Sequence, residues 1–206
     1  MCSESAYSPA WLLRGVRYTE NPSTSRALMT DIQKNYSTEK GVPLKLHENQ
    51  RLSVLFNGFY HYIEFNSTPV GAIVIPRLPN GDFLLVELRR APIFGQSVEF
   101  PRGGVEGDEA PQTGALRELM EETGYVVDGD AVTYLGFLGA DTATLNGQNH
   151  VFLVDIPEGA VPQGFDTEEI TQLHRLSPGE LRQQIRDNKI FDGQTLAAYG
   201  MLQARM

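Results

Sequence analysis

Cysteine is nearly absent from this sequence: Cys2 is the only one in 206 residues. An internal disulfide is excluded, which agrees with a reducing compartment, and the placement of Cys2 suggests no chemistry. Long hydrophobic runs are missing too. Apolar stretches such as Ala72 to Ile75 and Val151 to Val154 fall far short of the ~20 residues a membrane-spanning helix needs. No membrane partner is expected. The N-terminus carries Glu4 early and builds no apolar region, so it does not read as a secretory signal, and a cytoplasmic location is expected. Positive charge is scarce: 17 Lys and Arg against 26 Asp and Glu give a formal net charge of −9. Binders of duplex nucleic acid rely on a basic surface to release counterions, so no nucleic-acid partner is expected. A small anionic substrate needs local positive charge from arginines or metal ions to overcome that mean field. The one tryptophan, Trp11, reads as a packing anchor. What is present is an ordinary globular composition, 41% hydrophobic and 21% charged, which fits one folded domain with a modest appendage.

Residues 1 to about 50 are polar and weakly periodic, with turn material at Asn21-Pro22-Ser23 and Gly41-Val42-Pro43. From Arg51 the pattern becomes β-like: Leu52, Val54 and Phe56, then Phe59, Tyr60, Tyr62, Ile63 and Phe65, with Asn57-Gly58 as the hairpin turn. Asn66-Ser67-Thr68-Pro69 punctuates the chain. Val70 to Ile75 then predicts a strand that Asn80-Gly81 turns back into Phe83 to Arg89, the strongest hairpin signal present. Pro111 suits the first position of a helix ending at Thr123, and Gly124 suits its C-terminal cap. On that helix Ala115, Leu116, Leu119, Met120 and Thr123 fall on one side, and Arg117, Glu118, Glu121 and Glu122 on the other. Strands are predicted over 132–138 and 150–156. A capping box, Ser177-Pro178-Gly179-Glu180, opens a helix to about Asp187, and a last helix runs from Thr195 to Ala204. Strands and helices mix without a regular βαβ repeat, so the fold class is α+β or a layered α/β/α domain.

The chemistry concentrates in Gly103 to Tyr125. Glu118 and Glu122 lie four apart on one helix, so their carboxylates share a face, with Glu121 alongside. Clustered carboxylates repel one another unless a cation joins them, and an all-oxygen set selects hard ions such as Mg²⁺ or Mn²⁺. Arg117 reaches Glu121 at the i+4 spacing. The preceding glycine-rich loop lets backbone approach a ligand. Three glutamates alone are more often a solvated helix face; the wider spacing decides otherwise.

Glycine, five residues, glutamate, seven residues, then Arg-Glu-aliphatic-any-Glu-Glu-any-Gly resembles the signature of the Nudix hydrolase family. Seven fixed positions at ordinary usage give a chance match on the order of one in a million or less. The signature departs from the family at Tyr125, which stands where an aliphatic residue is usual. The resemblance implies a Nudix α/β/α sandwich with a mixed sheet over residues 67–206. A small N-terminal β-rich extension, residues 1–66, precedes it. It also implies hydrolysis of nucleoside diphosphates linked to another moiety, with Mg²⁺ or Mn²⁺ as cofactor. Glu118 and Glu122 would be metal ligands assisted by Glu121, with the Arg102 carbonyl as a further ligand, while Arg117 orients the glutamates and Glu109 supports the loop.

Upstream, Val86 to Arg90 followed by Ser97 to Gly103 resembles the ADP-ribose pyrophosphatase branch. By that resemblance Arg89, Glu99 and Gly104 would meet substrate; otherwise Arg89 and Arg90 are ordinary edge-strand charges. The stretch Gly164 to Ile170 resembles the acidic loop that supplies the catalytic base, leaving Glu168 and Glu169 as candidates. Lys189 to Ala198 also looks like that branch. ADP-ribose, cleaved to AMP and ribose 5-phosphate, is the substrate this implies. A nucleotide sugar, a dinucleoside polyphosphate or a non-catalytic nucleotide-sugar sensor are the alternatives. Phe59, Tyr60 and Tyr62 either stack a base or, more often for such residues, fill strand core. The four histidines lack metal-ligand spacing. A homodimer is expected, with the extension completing the substrate site and Phe56, Phe59 or Tyr60 at the interface.

Overall fold

The computed structural model describes residues 42–165 and 168–206. Cys2, Trp11, the turn at 21–23, Gly41, and Asp166 and Thr167 of the acidic loop lie outside the described residues. The described chain opens with β1 (Leu44–Glu48), β2 (Leu52–Phe56) and β3 (His61–Phe65). The β2–β3 hairpin forms where alternation places it. Gly58 takes φ 88°, a region open to glycine, and Asn57 Oδ1 accepts the N–H groups of Phe59 and Tyr60. β1 was not predicted, because Lys45 to Glu48 are all exposed and carry no alternation. A two-residue strand, β9 (Leu145–Asn146), runs parallel to β3 and completes a four-stranded sheet in the order β1-β2-β3-β9.

The larger sheet contains β4 (Val70–Arg77), β5 (Phe83–Arg90), β8 (Val132–Leu138), β10 (Gln148–Asp155) and β11 (Ile170–Leu176), in the order β11-β5-β4-β10-β8. β10 runs parallel to β4 while β8 and β11 pair antiparallel, so the sheet is mixed. Alternation sorts its side chains onto two faces. Ile73, Ile75, Val151 and Leu153 pack on one side against Leu181, Ala198, Tyr199 and Leu202. Ala72, Val74, Phe152 and Val154 pack on the other against Ala115 and Leu119. The helices are α1 (Pro111–Thr123) on the second face and α2 (Pro178–Arg186) and α3 (Gly193–Gln203) on the first. This is the expected α/β/α sandwich. Each fully buried aliphatic side chain contributes ~1.5–3 kcal/mol.

Two further details depart from the sequence reading. The β4–β5 hairpin pairs only at its turn, Arg77 with Phe83. Beyond that point the strands splay, and residues 95–104 enter the fork. β6 (Gly95–Glu99) pairs with β5, and β7 (Arg102–Gly104) pairs with β4. Local turn signals identify the hairpin but not the segment that later inserts into it. The polarity of α1 also differs: Met120 is 39% exposed, whereas Glu118 is 8% exposed. Gly114, Ala115, Glu118, Leu119 and Thr123 form the buried face. Glu118 is thus carried inward beside Leu119, a placement a two-faced helical projection does not anticipate.

Candidate active site

The fork in the large sheet delivers the glycine-rich loop to the buried end of α1. β7 aligns Arg102, Gly103 and Gly104 with Ile73, Ala72 and Gly71 of β4. Glu118 then packs where Gly103 has no side chain: a Cβ there would lie 2.1–2.4 Å from the Glu118 carboxyl atoms. Glu122 approaches the same peptide, its Oε2 accepting the Arg102 N–H at 3.1 Å. Two carboxylates on successive turns of one helix therefore converge on one stretch of backbone.

Arg117 organises the cluster. Its guanidinium donates to Glu118 Oε1 at 2.7 Å, Glu121 Oε2 at 3.0 Å, Glu109 Oε1 at 2.9 Å and the Gly104 carbonyl at 2.6 Å. Glu109 Oε1 also accepts the Glu106 N–H at 2.8 Å, which ties the loop to the helix. Burial alone would lower the Arg117 pKa, but the bonds to Glu109 and Glu118 raise it, so it stays charged. Glu118 is raised by burial, with Arg117 opposing. Glu122 is pushed up to about 8 by burial and by the neighbouring charge of Glu118.

Among the described residues no three His, Cys, Asp or Glu side chains already surround a metal position. Glu121 is held by Arg117, and Glu122 by the Arg102 amide. The donor set nevertheless fits a hard divalent cation: two carboxylates whose ionisation is penalised by burial and by each other, beside backbone, are stabilised by positive charge. This has a pH signature. An acid whose folded-state pKa exceeds its unfolded value binds more protons when folded, so its contribution to stability is lost as pH rises toward the folded pKa. In chelator-treated protein the stability difference between wild type and Glu122→Gln should therefore move against wild type between about pH 5 and pH 8, the range between the unfolded carboxylate and a pKa of about 8. Saturating Mg²⁺ should abolish that trend. Thermal melts across the range check it, and a pH-independent difference would contradict it. Glu99, whose pKa is lowered, acts below this window.

Beside the loop lies a cavity of about 300 Å³ whose wall includes Arg90, Arg102, Gly103, Gly104, Asn149 and Gln194. Strand parity puts Arg90 there, while Arg89, the predicted substrate contact, is exposed and does not line the cavity. Arg90 Nε and Nη2 grip Glu99 at 3.1 and 2.6 Å, and Arg102 Nη2 meets Glu99 Oε2 at 2.6 Å. Burial alone would raise the Glu99 pKa; the Arg90 hydrogen bond and the Arg102 charge bring it below the usual value. Glu99 is 1% exposed, so the geometry makes it a clamp for two arginines. Gly104, also predicted, lines the cavity directly.

Glu168 and Glu169 are exposed in the turn before β11. The loop that carries them, between β10 and β11, passes the C-terminal end of α1, where Gln163 N–H donates to the Gly124 carbonyl at 2.8 Å. Gly124 has φ 76°, and a Cβ there would stand 2.7 Å from the Gly164 carbonyl. Only glycine permits this contact. Phe59 and Tyr60 are 81% and 60% exposed, so they are not strand core; Phe56 is buried. A second cavity of about 300 Å³ is lined in part by Tyr60, Tyr62 and Leu145. Sequence reasoning missed Arg90, Asn149, Asp192, Gln194 and Thr195. Counting strand parity two residues on from the inward residue Leu88 would have found Arg90; the others needed the tertiary fold.

A crossed mixed sheet, a glycine loop and an intact Arg-Glu-Glu-Glu cluster define a Nudix-type hydrolase site, and the profile of the NUDIX domain matches residues 67–199. The chain belongs to the Nudix family and is a pyrophosphohydrolase of that family, whose members generally depend on a divalent metal. The methanol dehydrogenase activator of Bacillus methanolicus is 30% identical over 135 residues, which are 65% of this chain and 72% of that protein. The ADP-ribose pyrophosphatase of Bacillus subtilis (strain 168) is 25% identical over 150 residues, covering 72% and 80% respectively. The crystal structure of an ADP compounds hydrolase superposes with a TM-score of 0.65 at 15% identity, over 80% of this chain and 91% of that one, and shows a shared fold. Among the described residues no helix is long and apolar enough to cross a membrane.

Proposed function

We propose that the protein hydrolyses ADP-ribose to AMP and ribose 5-phosphate with Mg²⁺ or Mn²⁺. The observation that carries this reading is the convergence of Glu118 and Glu122 on the Arg102–Gly103 backbone, next to a cavity walled by two arginines. Relatives named ADP-ribose pyrophosphatase support the choice of substrate. Glu118 and Glu122, with Glu121 assisting and the Arg102 carbonyl contributing, would hold the cation. When bound, that ion neutralises the diphosphate and acidifies water for in-line attack. Arg117 fixes the direction of Glu118 and Glu121. Gly104, against which the Thr68 side chain packs, lies in the cavity wall where its backbone meets the diphosphate. Glu168 or Glu169 takes the proton from the attacking water. That water attacks one phosphorus, the bridging P–O bond breaks, and both products leave as phosphate monoesters.

Arg90 takes the phosphate contact that the sequence reading assigned to Arg89. A charge-assisted bond to phosphate is worth ~1.5–3 kcal/mol, so Arg90→Ala should raise KM for ADP-ribose about tenfold or more. Steady-state kinetics would show it, and an unchanged KM would confine Arg90 to holding Glu99. The deciding assay for the function compares kcat/KM on ADP-ribose, NADH, GDP-mannose and diadenosine polyphosphates. ADP-ribose is expected to lead. A higher value for another substrate would reassign specificity, and inactivity on all would favour a sensor, although the complete set of glutamates speaks against one.

The assembly we propose is a homodimer in which the N-terminal sheet meets its twin. Exposed Phe59 and Tyr60 support it, since large apolar surfaces gain most from association. Light scattering at micromolar concentration should give twice the chain mass; the mass of one chain would contradict it. A cytoplasmic setting fits the single cysteine.

A further inference from the structure

The first turn of α3 reaches into the active site from the far end of the chain. Its N-cap is Asp192, whose Oδ2 accepts the Thr195 N–H at 2.8 Å. Because Asp192 caps the helix, the Thr195 hydroxyl is not needed there. Instead Thr195 Oγ1 accepts the Phe100 N–H at 3.1 Å, across 95 residues of sequence. Thr195 is 1% exposed and Phe100 fully buried, so water offers that amide no alternative acceptor. The other oxygen of Asp192, Oδ1, accepts from Arg102 Nη2 at 3.2 Å. Between these two attachments Pro101 accepts the Val74 N–H at 2.9 Å, and just beyond it the Arg102 N–H donates to Glu122. The peptide leading to the Arg102 carbonyl is thus fixed from three directions: by α3, by β4 and by α1. Among the described residues Arg102 Nη1 is buried with no hydrogen-bond partner.

We propose that Thr195 and Asp192 are positioning residues: they set the Arg102 carbonyl against Glu122 and so hold the metal-binding geometry from α3. The proposal rests on the reading of Glu118, Glu122 and the Arg102 carbonyl as the metal-holding set. Neither residue touches substrate in this role. Each acts through the backbone or the guanidinium of the loop, as outer partners of metal ligands do when their removal weakens affinity ~10–100-fold.

The test uses full-length, chelator-treated protein carrying Thr195→Val, Thr195→Ser or Asp192→Asn. Mn²⁺ binding is followed without substrate by the electron paramagnetic resonance of free Mn²⁺, and ADP-ribose turnover is measured at saturating Mn²⁺. Thr195→Val keeps the side-chain shape and loses the acceptor; it should weaken Mn²⁺ binding at least about fivefold and lower kcat about tenfold, with KM much less affected. Thr195→Ser restores the acceptor and should stay close to wild type in both readouts. Asp192→Asn retains a capping oxygen but loses the charge on Arg102, and should move Mn²⁺ affinity in the same direction. A folded Thr195→Val with wild-type Mn²⁺ affinity and kcat would overturn the proposal, as would Thr195→Ser damaged as badly as Thr195→Val. If Thr195→Val does not fold, Asp192→Asn decides by the same two readouts, and wild-type values there would overturn it. Wild-type protein that binds no Mn²⁺ would instead remove the metal reading itself.

Discussion

Glu122→Gln and Glu118→Gln are each expected to lower kcat by at least ~10²-fold while the fold persists. The substitution keeps size and shape, removes the charge and exchanges one acceptor oxygen for an amide donor, so the carboxylate is lost while the packing is kept. For Glu122 the local energetics favour a clean result. Its side chain is partly buried, and its pKa is pushed up to about 8 by that burial and by Glu118. A neutral amide there removes an unfavourable interaction from the metal-free protein. Stability without metal should therefore hold or rise as activity falls. Glu118→Gln also loses the charge that meets Arg117 at 2.7 Å, so its stability should benefit less. Circular dichroism and turnover in chelator-treated, Mg²⁺-restored enzyme check both variants. Near wild-type turnover would exclude the altered residue from the cation-holding set.

Gly103→Ala should cost activity on a similar scale, about 10²-fold, while changing stability by no more than ~1 kcal/mol. The new Cβ would fall 2.1–2.4 Å from the Glu118 carboxyl atoms. A carboxylate at the end of a flexible side chain can swing away at little cost to folding. It cannot swing away and still meet a cation beside the Arg102 carbonyl. Loss of activity with an unchanged melting temperature would mark Gly103 as the space Glu118 occupies. Retained activity would show that Glu118 works from another position, and a large loss of stability would show that the loop cannot relax.

Much of the fold was legible because its signals are local. The strands β4, β8 and β10 announce themselves by apolar content, α1 by Pro111 and Gly124, and α2 by the reciprocal bonds of Ser177 and Glu180. What escaped was non-local or featureless. β1 is exposed on four of its five residues, β9 has only two, and β6 and β7 exist because β4 and β5 splay to admit them. The glutamate cluster could be read from spacing, since helical periodicity places Glu118 and Glu122 together wherever the helix goes. The arginines could not be sorted as reliably. Arg89 and Arg90 are neighbours with the same chemistry, and only the face of β5 that meets Glu99 separates them. Asp192 and Thr195 lie in a stretch whose resemblance was visible, yet their bonds to Arg102 and Phe100 belong to the assembled fold.

The central claim is cleavage of a diphosphate bond at this site, and phosphorus NMR of ADP-ribose incubated with the protein and Mg²⁺ tests it most directly. The two coupled diphosphate resonances should disappear and be replaced, in equal amounts, by the monoester resonances of AMP and ribose 5-phosphate, with no conversion in chelator. Persistence of the diphosphate under conditions where the protein is folded and loaded with Mg²⁺, or release of inorganic phosphate without AMP, would contradict the account.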